Sequence, residues 1–308
     1  MTIHDDITRL IGNTPLVRLA RIEAAYGVSA KLIAKLEKQN PGGSVKDRIA
    51  RAMIETAERD GLLEKGATIV EATSGNTGIG LAMVGAAKGY RMVFTMSEAM
   101  SLERRSLLRA YGAELVLTDA SLGMKGAIAE ARRIHAETPG SFLPLQFENA
   151  ANPITHYATT GPEIFRETDG TVDVFVAGVG TGGTVSGVGR YLKEQKPSVR
   201  IVAVEPEKSP VLSGGAPAPH MIQGISAGFI PRNYDGTVVD AIATVSNEDA
   251  ITFARALASV EGILSGISCG AALAVAVRIG KDPAYAGKTI VILLPDTGER
   301  YLSTILFK

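Results

Sequence analysis

Short β-branched runs alternate with longer helical patterns along most of the chain, and this rhythm limits the fold more than any other feature of the sequence. The predicted strands are Ala67 to Glu71, Arg91 to Met96, Glu114 to Thr118, Val172 to Val179, Arg200 to Val204 and Thr289 to Leu294. They are almost continuously apolar, as central strands of a parallel sheet must be when helices cover both faces. Helical patterns follow most of them, at Gly78 to Lys88, Gly123 to Ala136, Gly182 to Glu194, Glu248 to Ser259 and Gly270 to Ile279. A repeated βα unit of this kind predicts a doubly wound α/β fold, whose ligands bind at the carboxyl ends of the strands. With 308 residues, 45% of them apolar, the chain is long enough for two such domains. Residues 209–219 and 224–235 read as long irregular segments, which in a compact domain are often functional.

Charge and cysteine usage narrow the function. Thirty-two basic residues balance thirty-two acidic ones, so no net field draws the chain to nucleic acid or to an anionic membrane. The uncharged stretch from Gly262 to Val277 falls short of the roughly 20 residues a membrane span needs, and reads as a buried loop and helix. The single cysteine, Cys269, cannot form an internal disulfide. The first residues carry neither a basic nor an apolar signal region, so the expected location is cytoplasmic. His4, His135, His156 and His220 do not cluster at ligand spacing, and no metal site is predicted.

Lys46 is the first candidate for chemistry. The turn-forming run Asn40-Pro41-Gly42-Gly43 delivers the chain into a helix whose core stripe is Val45, Ile49, Met53 and Ala57, with Ser44 as expected cap and Gly61 as stop. A lysine cation in a first turn is disfavoured by the helix dipole, by about 0.3 to 1 kcal/mol at an exposed site. The same field favours the neutral amine, the form that condenses with an aldehyde.

Two strand-loop-helix joints add anion sites. In Glu71-Ala72-Thr73-Ser74-Gly75-Asn76-Thr77-Gly78, hydroxyl and amide side chains precede free helix amides and suit a carboxylate. In Gly178-Val179-Gly180-Thr181-Gly182-Gly183-Thr184, glycines permit close backbone approach and threonines add donors, which makes a phosphate cradle. The second loop also fits the dinucleotide pattern, with Gly178, Gly180, Gly183 and a later acid, Glu205. That fingerprint belongs to a first βαβ unit, whereas this loop lies past the midpoint of the chain. An amine, a carboxylate loop and a single-phosphate loop together favour pyridoxal 5'-phosphate acting on an amino acid.

These segments, with Ile11-Gly12-Asn13-Thr14-Pro15-Leu16, Gln223-Gly224-Ile225, Gly266-Ile267-Ser268 and Gly298-Glu299-Arg300-Tyr301-Leu302-Ser303-Thr304, resemble the cysteine synthase (O-acetylserine sulfhydrylase) family of pyridoxal-phosphate enzymes. The resemblance spans essentially the whole chain. It implies the fold type II, tryptophan synthase β-like architecture: two doubly wound α/β domains with the cofactor between them. The smaller domain would be residues 1–147, with a mobile part near 90–136, and the larger residues 148–308, with residues 13–36 packed on the latter.

By the same resemblance, Lys46 would hold the cofactor as a Schiff base and shuttle the Cα proton. Gly180, Thr181, Gly182, Gly183 and Thr184 would bind its phosphate, Asn76 its 3'-oxygen, and Ser268 would face the pyridine nitrogen. Thr73, Ser74, Thr77 and Gln146 would hold the substrate carboxylate, and Gly224 would line the substrate site. A neutral hydroxyl at the ring nitrogen makes a weaker electron sink than a carboxylate, which suits β-elimination over transamination. The implied reaction is β-replacement of the acetoxy group of O-acetyl-L-serine by sulfide through an α-aminoacrylate, giving L-cysteine and acetate. The implied assembly is a homodimer.

Several positions depart from the family pattern. Ser97 and Ala99 stand for Pro and Thr in the mobile part, Ala150 for a Pro, Ser226 for a Gly, and Cys269 for a Ser or Thr. Met221 stands for a common lysine where the family receives the tail of serine acetyltransferase, which weakens the expectation of that partner. Cys269 at a helix start has two readings, a stabilised thiolate or a small residue filling a tight space. Asp296, after the last strand, reads as structural or as a neighbour of the pyridine. Other β-replacement chemistries remain as alternatives: cystathionine β-synthase-like, O-phosphoserine sulfhydrylase or β-cyanoalanine synthase. The neutral segment Gln223 to Ser226 offers no cation for a phosphoserine substrate. A nicotinamide dehydrogenase is the remote alternative, and a non-catalytic relative would require the loss of Lys46.

Overall fold

The computed structural model describes residues 3–73 and 75–308. It divides into two compact units, one holding Asn40–Ala151 and the residues up to Ile11, the other Gly12–Gln39 and Asn152–Lys308. The strands are β1 (Leu16–Arg18), β2 (Lys31–Leu36), β3 (Thr68–Ala72), β4 (Arg91–Ser97), β5 (Glu114–Thr118), β6 (Val172–Gly178), β7 (Arg200–Pro206), β8 (Ala241–Val245) and β9 (Thr289–Leu294). The helices are α1 (Ala20–Tyr26), α2 (Lys46–Arg59), α3 (Asn76–Lys88), α4 (Leu102–Ala110), α5 (Gly123–Glu137), α6 (Ala151–Thr155), α7 (Gly161–Glu167), α8 (Gly183–Gln195), α9 (Asn247–Glu261) and α10 (Ile267–Gly280).

The first unit is built on the parallel sheet β3-β4-β5. Alternation along β3 sends Ile69 to one face, where it joins Ile49 and Met53 of α2 and Leu81 of α3, and Val70 to the other, where it meets Ala131 of α5. Gly80 lets α3 lie against the start of α2, because a Cβ there would sit 3.0 Å from the Lys46 carbonyl oxygen.

The second unit has a six-stranded sheet in the order β1-β2-β9-β6-β7-β8, parallel except for the edge strand β1. All six residues of β9 are buried, as a strand covered on both faces requires. One face packs against α1, α9 and α10. Gly270 makes the α9 and α10 contact possible, since a Cβ would run into the Ala250 carbonyl. On the other face Gly189 of α8 faces Ile201 of β7. The sheet also contains β1, β2 and β8, none of which stands out in the apolar pattern. Between β7 and β8 the only regular element is a short 3-10 turn at Gly236–Val238. The uncharged stretch ends inside α10, and among the described residues no helix is long and apolar enough to cross a membrane.

Candidate active site

In the first unit, Lys46 is the first residue of α2, one position earlier in the helix than the expected Ser44 cap would place it. Ser44 still serves the helix start, its hydroxyl accepting from the Lys46 amide at 3.2 Å. Asp47 does not turn back to Ser44: its carboxylate accepts the Gly42 amide at 2.6 Å and closes the turn that leads into the helix. Gly43 takes the left-handed conformation in that turn, at φ 77°.

The carboxylate-type loop follows the carboxyl end of β3. Thr73 is buried, and its hydroxyl accepts from the Gly75 amide at 3.4 Å. Gly75 caps α3 without a side-chain bond, and the positive end of a helix suits an anion. Asn76 opens the helix, and the Thr77 hydroxyl donates to Gln146 Oε1 at 2.6 Å. Thr73, Asn76, Thr77 and Gln146 therefore belong to one local structure. Ser74 lies outside the described residues.

Two residues that the sequence reading did not single out shape this loop. Glu71, at the end of β3 and almost fully buried, accepts the Leu145 amide at 3.0 Å. Burial pushes its carboxyl up to about 7, against the opposing pull of the Leu145 and Gln146 amides. Leu145 is held in the left-handed region at φ 54°, a conformation leucine rarely adopts. A lone acid inside an apolar strand was the visible signal for Glu71.

In the second unit, Gly178 to Thr184 joins β6 to α8. Gly182 is left-handed at φ 82° and gives α8 no side-chain cap. The glycines are required by crowding: a Cβ on Gly180 would strike the Gly224 carbonyl, and one on Gly183 would strike the Asn152 amide. Asn152 donates to Thr181 Oγ1 at 2.9 Å, and His156 Nε2 lies 3.2 Å from Thr184 Oγ1. The loop is thus an uncapped helix start with two oriented hydroxyls and no room for side chains, which fits a phosphate. Gly224, at φ 94°, would carry a Cβ 3.9 Å from Ser268 Oγ, so the loop, Gly224 and Ser268 lie along one surface.

Ser268 is buried in the first turn of α10. Cys269 beside it is fully buried, and its thiol points at the Asp296 carbonyl, 3.5 Å away. Burial, and then the Asp296 charge, push the thiol well above its usual range, so the stabilised thiolate does not hold and the space-filling reading does. Asp296 accepts from Tyr301 at 2.7 Å, and Gly266 leaves space for its carboxylate. These contacts to Tyr301, Cys269 and Gly266 are structural. Glu205 is occupied too, accepting the Leu212 and Ser213 amides at 2.8 and 3.0 Å, which orders the long segment after β7 rather than leaving an acid for a ribose.

The model of the family described as pyridoxal-phosphate dependent enzyme matches residues 7–296. A cysteine synthase of Staphylococcus aureus is 57% identical over 304 residues, covering 98% of this chain and 97% of that protein. Among solved structures, a cysteine synthase of Entamoeba histolytica superposes with a TM-score of 0.96 at 46% identity, covering 99% of this chain and 91% of that one. A hydrogen sulfide-producing enzyme of Fusobacterium nucleatum gives a TM-score of 0.94 at 45% identity, over 98% and 99% of the two chains.

Proposed function

Since the chain belongs to the pyridoxal-phosphate dependent enzyme family, we propose that it makes L-cysteine and acetate from O-acetyl-L-serine and sulfide. What carries the reading is its 57% identity to a cysteine synthase over nearly the full length of both chains. The fold is that of fold type II enzymes, and the cofactor is pyridoxal 5'-phosphate.

Each local structure supports a role. The crowded Gly180 to Thr184 loop would hold the phosphate, with Asn152 and His156 orienting Thr181 and Thr184. Asn76 would bind the 3'-oxygen and Ser268 the ring nitrogen. Thr73, Ser74, Thr77 and Gln146 would hold the α-carboxylate, with Gly224 lining the substrate site. Bound pyridoxal phosphate supplies an electron sink for the pair released when the Cα–H bond breaks. Lys46 anchors that cofactor, takes the Cα proton as acetate departs with its C–O bonding pair, and returns the proton after sulfide has added at Cβ.

The segment near 90–136 is the part proposed to close when carboxylate binds. Light anchoring of its outer elements supports this, since α4 buries only Leu108 and no residue of β5 is fully buried, although β4 between them and the core is well buried. A homodimer, carried by the family resemblance, and the cytoplasmic location expected from the sequence complete the proposal. Met221, half-exposed, stands against recruitment of serine acetyltransferase, and a pull-down with that enzyme decides the matter.

The purified protein is expected to be yellow, with a visible band that disappears in Lys46→Ala; a colourless protein that retains NAD would refute the reading. O-acetylserine should move the band to longer wavelength and sulfide should restore it. If serine or O-phosphoserine does so far more efficiently, the acetylserine assignment is wrong.

A further inference from the structure

Gln146 can hold a carboxylate only if the backbone that carries it keeps an unfavourable shape. The residue before it, Leu145, is left-handed at φ 54°, a region in which a leucine needs an external restraint. The restraint comes from Glu71. This acid sits at the end of β3, two residues before Thr73, and its carboxylate accepts the backbone amides of Leu145, at 3.0 Å, and of Gln146. On the far side of the same turn, Gln146 Oε1 accepts from Thr77 at 2.6 Å. One buried carboxylate thus ties the strand that leads into the carboxylate loop to the turn that carries Gln146.

We propose that Glu71 is a positioning residue for substrate: by gripping the Leu145 and Gln146 amides it keeps the Gln146 side chain aligned with Thr77 for the α-carboxylate of O-acetylserine. This rests on the assignment of Thr77 and Gln146 to that carboxylate. The grip depends on two acceptor oxygens at full charge, because a charge-assisted bond is roughly twice as strong as a neutral one. Protonation turns one oxygen into a donor facing an N–H group. Around β3, β4 pairs Phe94 with Glu71, α5 turns Ala127 and Ala131 inward, α3 presents Ile79 and Met83, and α2 presents Ile49 and Met53 and carries the buried Asp47 and Arg48. Among the described residues, the influences that shift Glu71 are burial, which raises it, and the two amides, which lower it.

Glu71→Gln keeps the shape of the side chain but sets an amide donor against one of the two N–H groups. The holoenzyme of this variant should keep its visible band, showing that it is folded and loaded. It should need about tenfold more O-acetylserine to shift that band, the effect of losing one bond to a charged group. Its KM for O-acetylserine should rise with kcat and the sulfide dependence little changed. Hydrogen exchange over residues 143–148 should speed up without substrate. In a Gln146→Ala background, itself weaker for O-acetylserine, adding Glu71→Gln should cost less than about twofold, because both changes remove the same function. The wild-type protein gives a test that needs no variant: affinity for O-acetylserine should fall as pH drops through about 7, a dependence that Glu71→Gln flattens. Wild-type affinity in Glu71→Gln, or a full additional tenfold loss in the Gln146→Ala background, would overturn the inference while leaving the carboxylate assignment intact. Unchanged affinity in Gln146→Ala would overturn that assignment and the inference with it.

Discussion

At the scale of single residues, Glu71 carries opposite demands. Its carboxyl is raised from 4.5 to about 7 in the folded protein. Between those values the unfolded chain has already released the proton that the native state retains, so the native state binds more protons and stability falls as pH rises. Replacing Glu71 by Gln removes that dependence. Urea denaturation should show Glu71→Gln gaining on the wild type from pH 5 to pH 8, by at most about 3 kcal/mol. The ionised form that costs stability is the form that grips the Gln146 turn, a local trade of stability for function. Gly183 makes a sharper test of the phosphate loop. Gly183→Ala drives a methyl into the Asn152 amide, and should lower cofactor retention on gel filtration at least tenfold, as a displaced binding loop would. The phosphate loop was legible in the sequence because the glycines that its crowded neighbours Gly224 and Asn152 require are themselves visible as a run of one residue type. Leu145 was not, since a positive φ at leucine leaves no trace in residue type, and Glu71 showed only as a lone acid in an apolar strand.

At the scale of elements, legibility followed apolar patterning. The predicted strands became β3, β4, β5, β6, β7 and β9 and the predicted helices α3, α5, α8, α9 and α10, each within a few residues, because each carries an apolar run or stripe, and β5 did so with no residue fully buried. β2 escaped because Lys35 interrupts it. That lysine is fully buried, with Glu163 at 2.9 Å, Glu167 at 3.0 Å and the Thr14 carbonyl around its amine. Such a cation is hidden from any reading of hydropathy, since its carboxylate partners lie on a helix far along the chain. Lys35→Ala leaves Glu163 buried without its cation and should cost about 3–5 kcal/mol, whereas Lys35→Met, which fills the space, should retain weakened folding in the same denaturant titration. α4 escaped for the opposite reason: with Leu108 alone buried it has no stripe to read. Phe94, in β4, has no exposure, and Phe94→Ala should cost about 3–5 kcal/mol and lower the Tm accordingly.

At the scale of the whole molecule, the chain passes from one unit to the other after Ile11, after Gln39 and after Ala151. Residues 12–39 supply β1, β2 and α1 to a sheet whose other strands begin at Val172. A protein starting at Asn40 therefore loses the partner that pairs with β9 from Lys31↔Thr289 to Leu36↔Leu294. It is expected to lose native circular dichroism and cofactor colour although every residue assigned to chemistry is still present; retention of both would show that the segment is dispensable.

The pairing of β2 with β9 also sets an order of events at birth. A ribosome adds on the order of 5–20 residues each second, so β2 emerges tens of seconds before the strand it pairs with exists. Through that interval it has only β1 as a strand neighbour, and its other edge is open to any passing extended chain. The nascent polypeptide is therefore most vulnerable to misassociation at β2, and it stays so until β9 has been made.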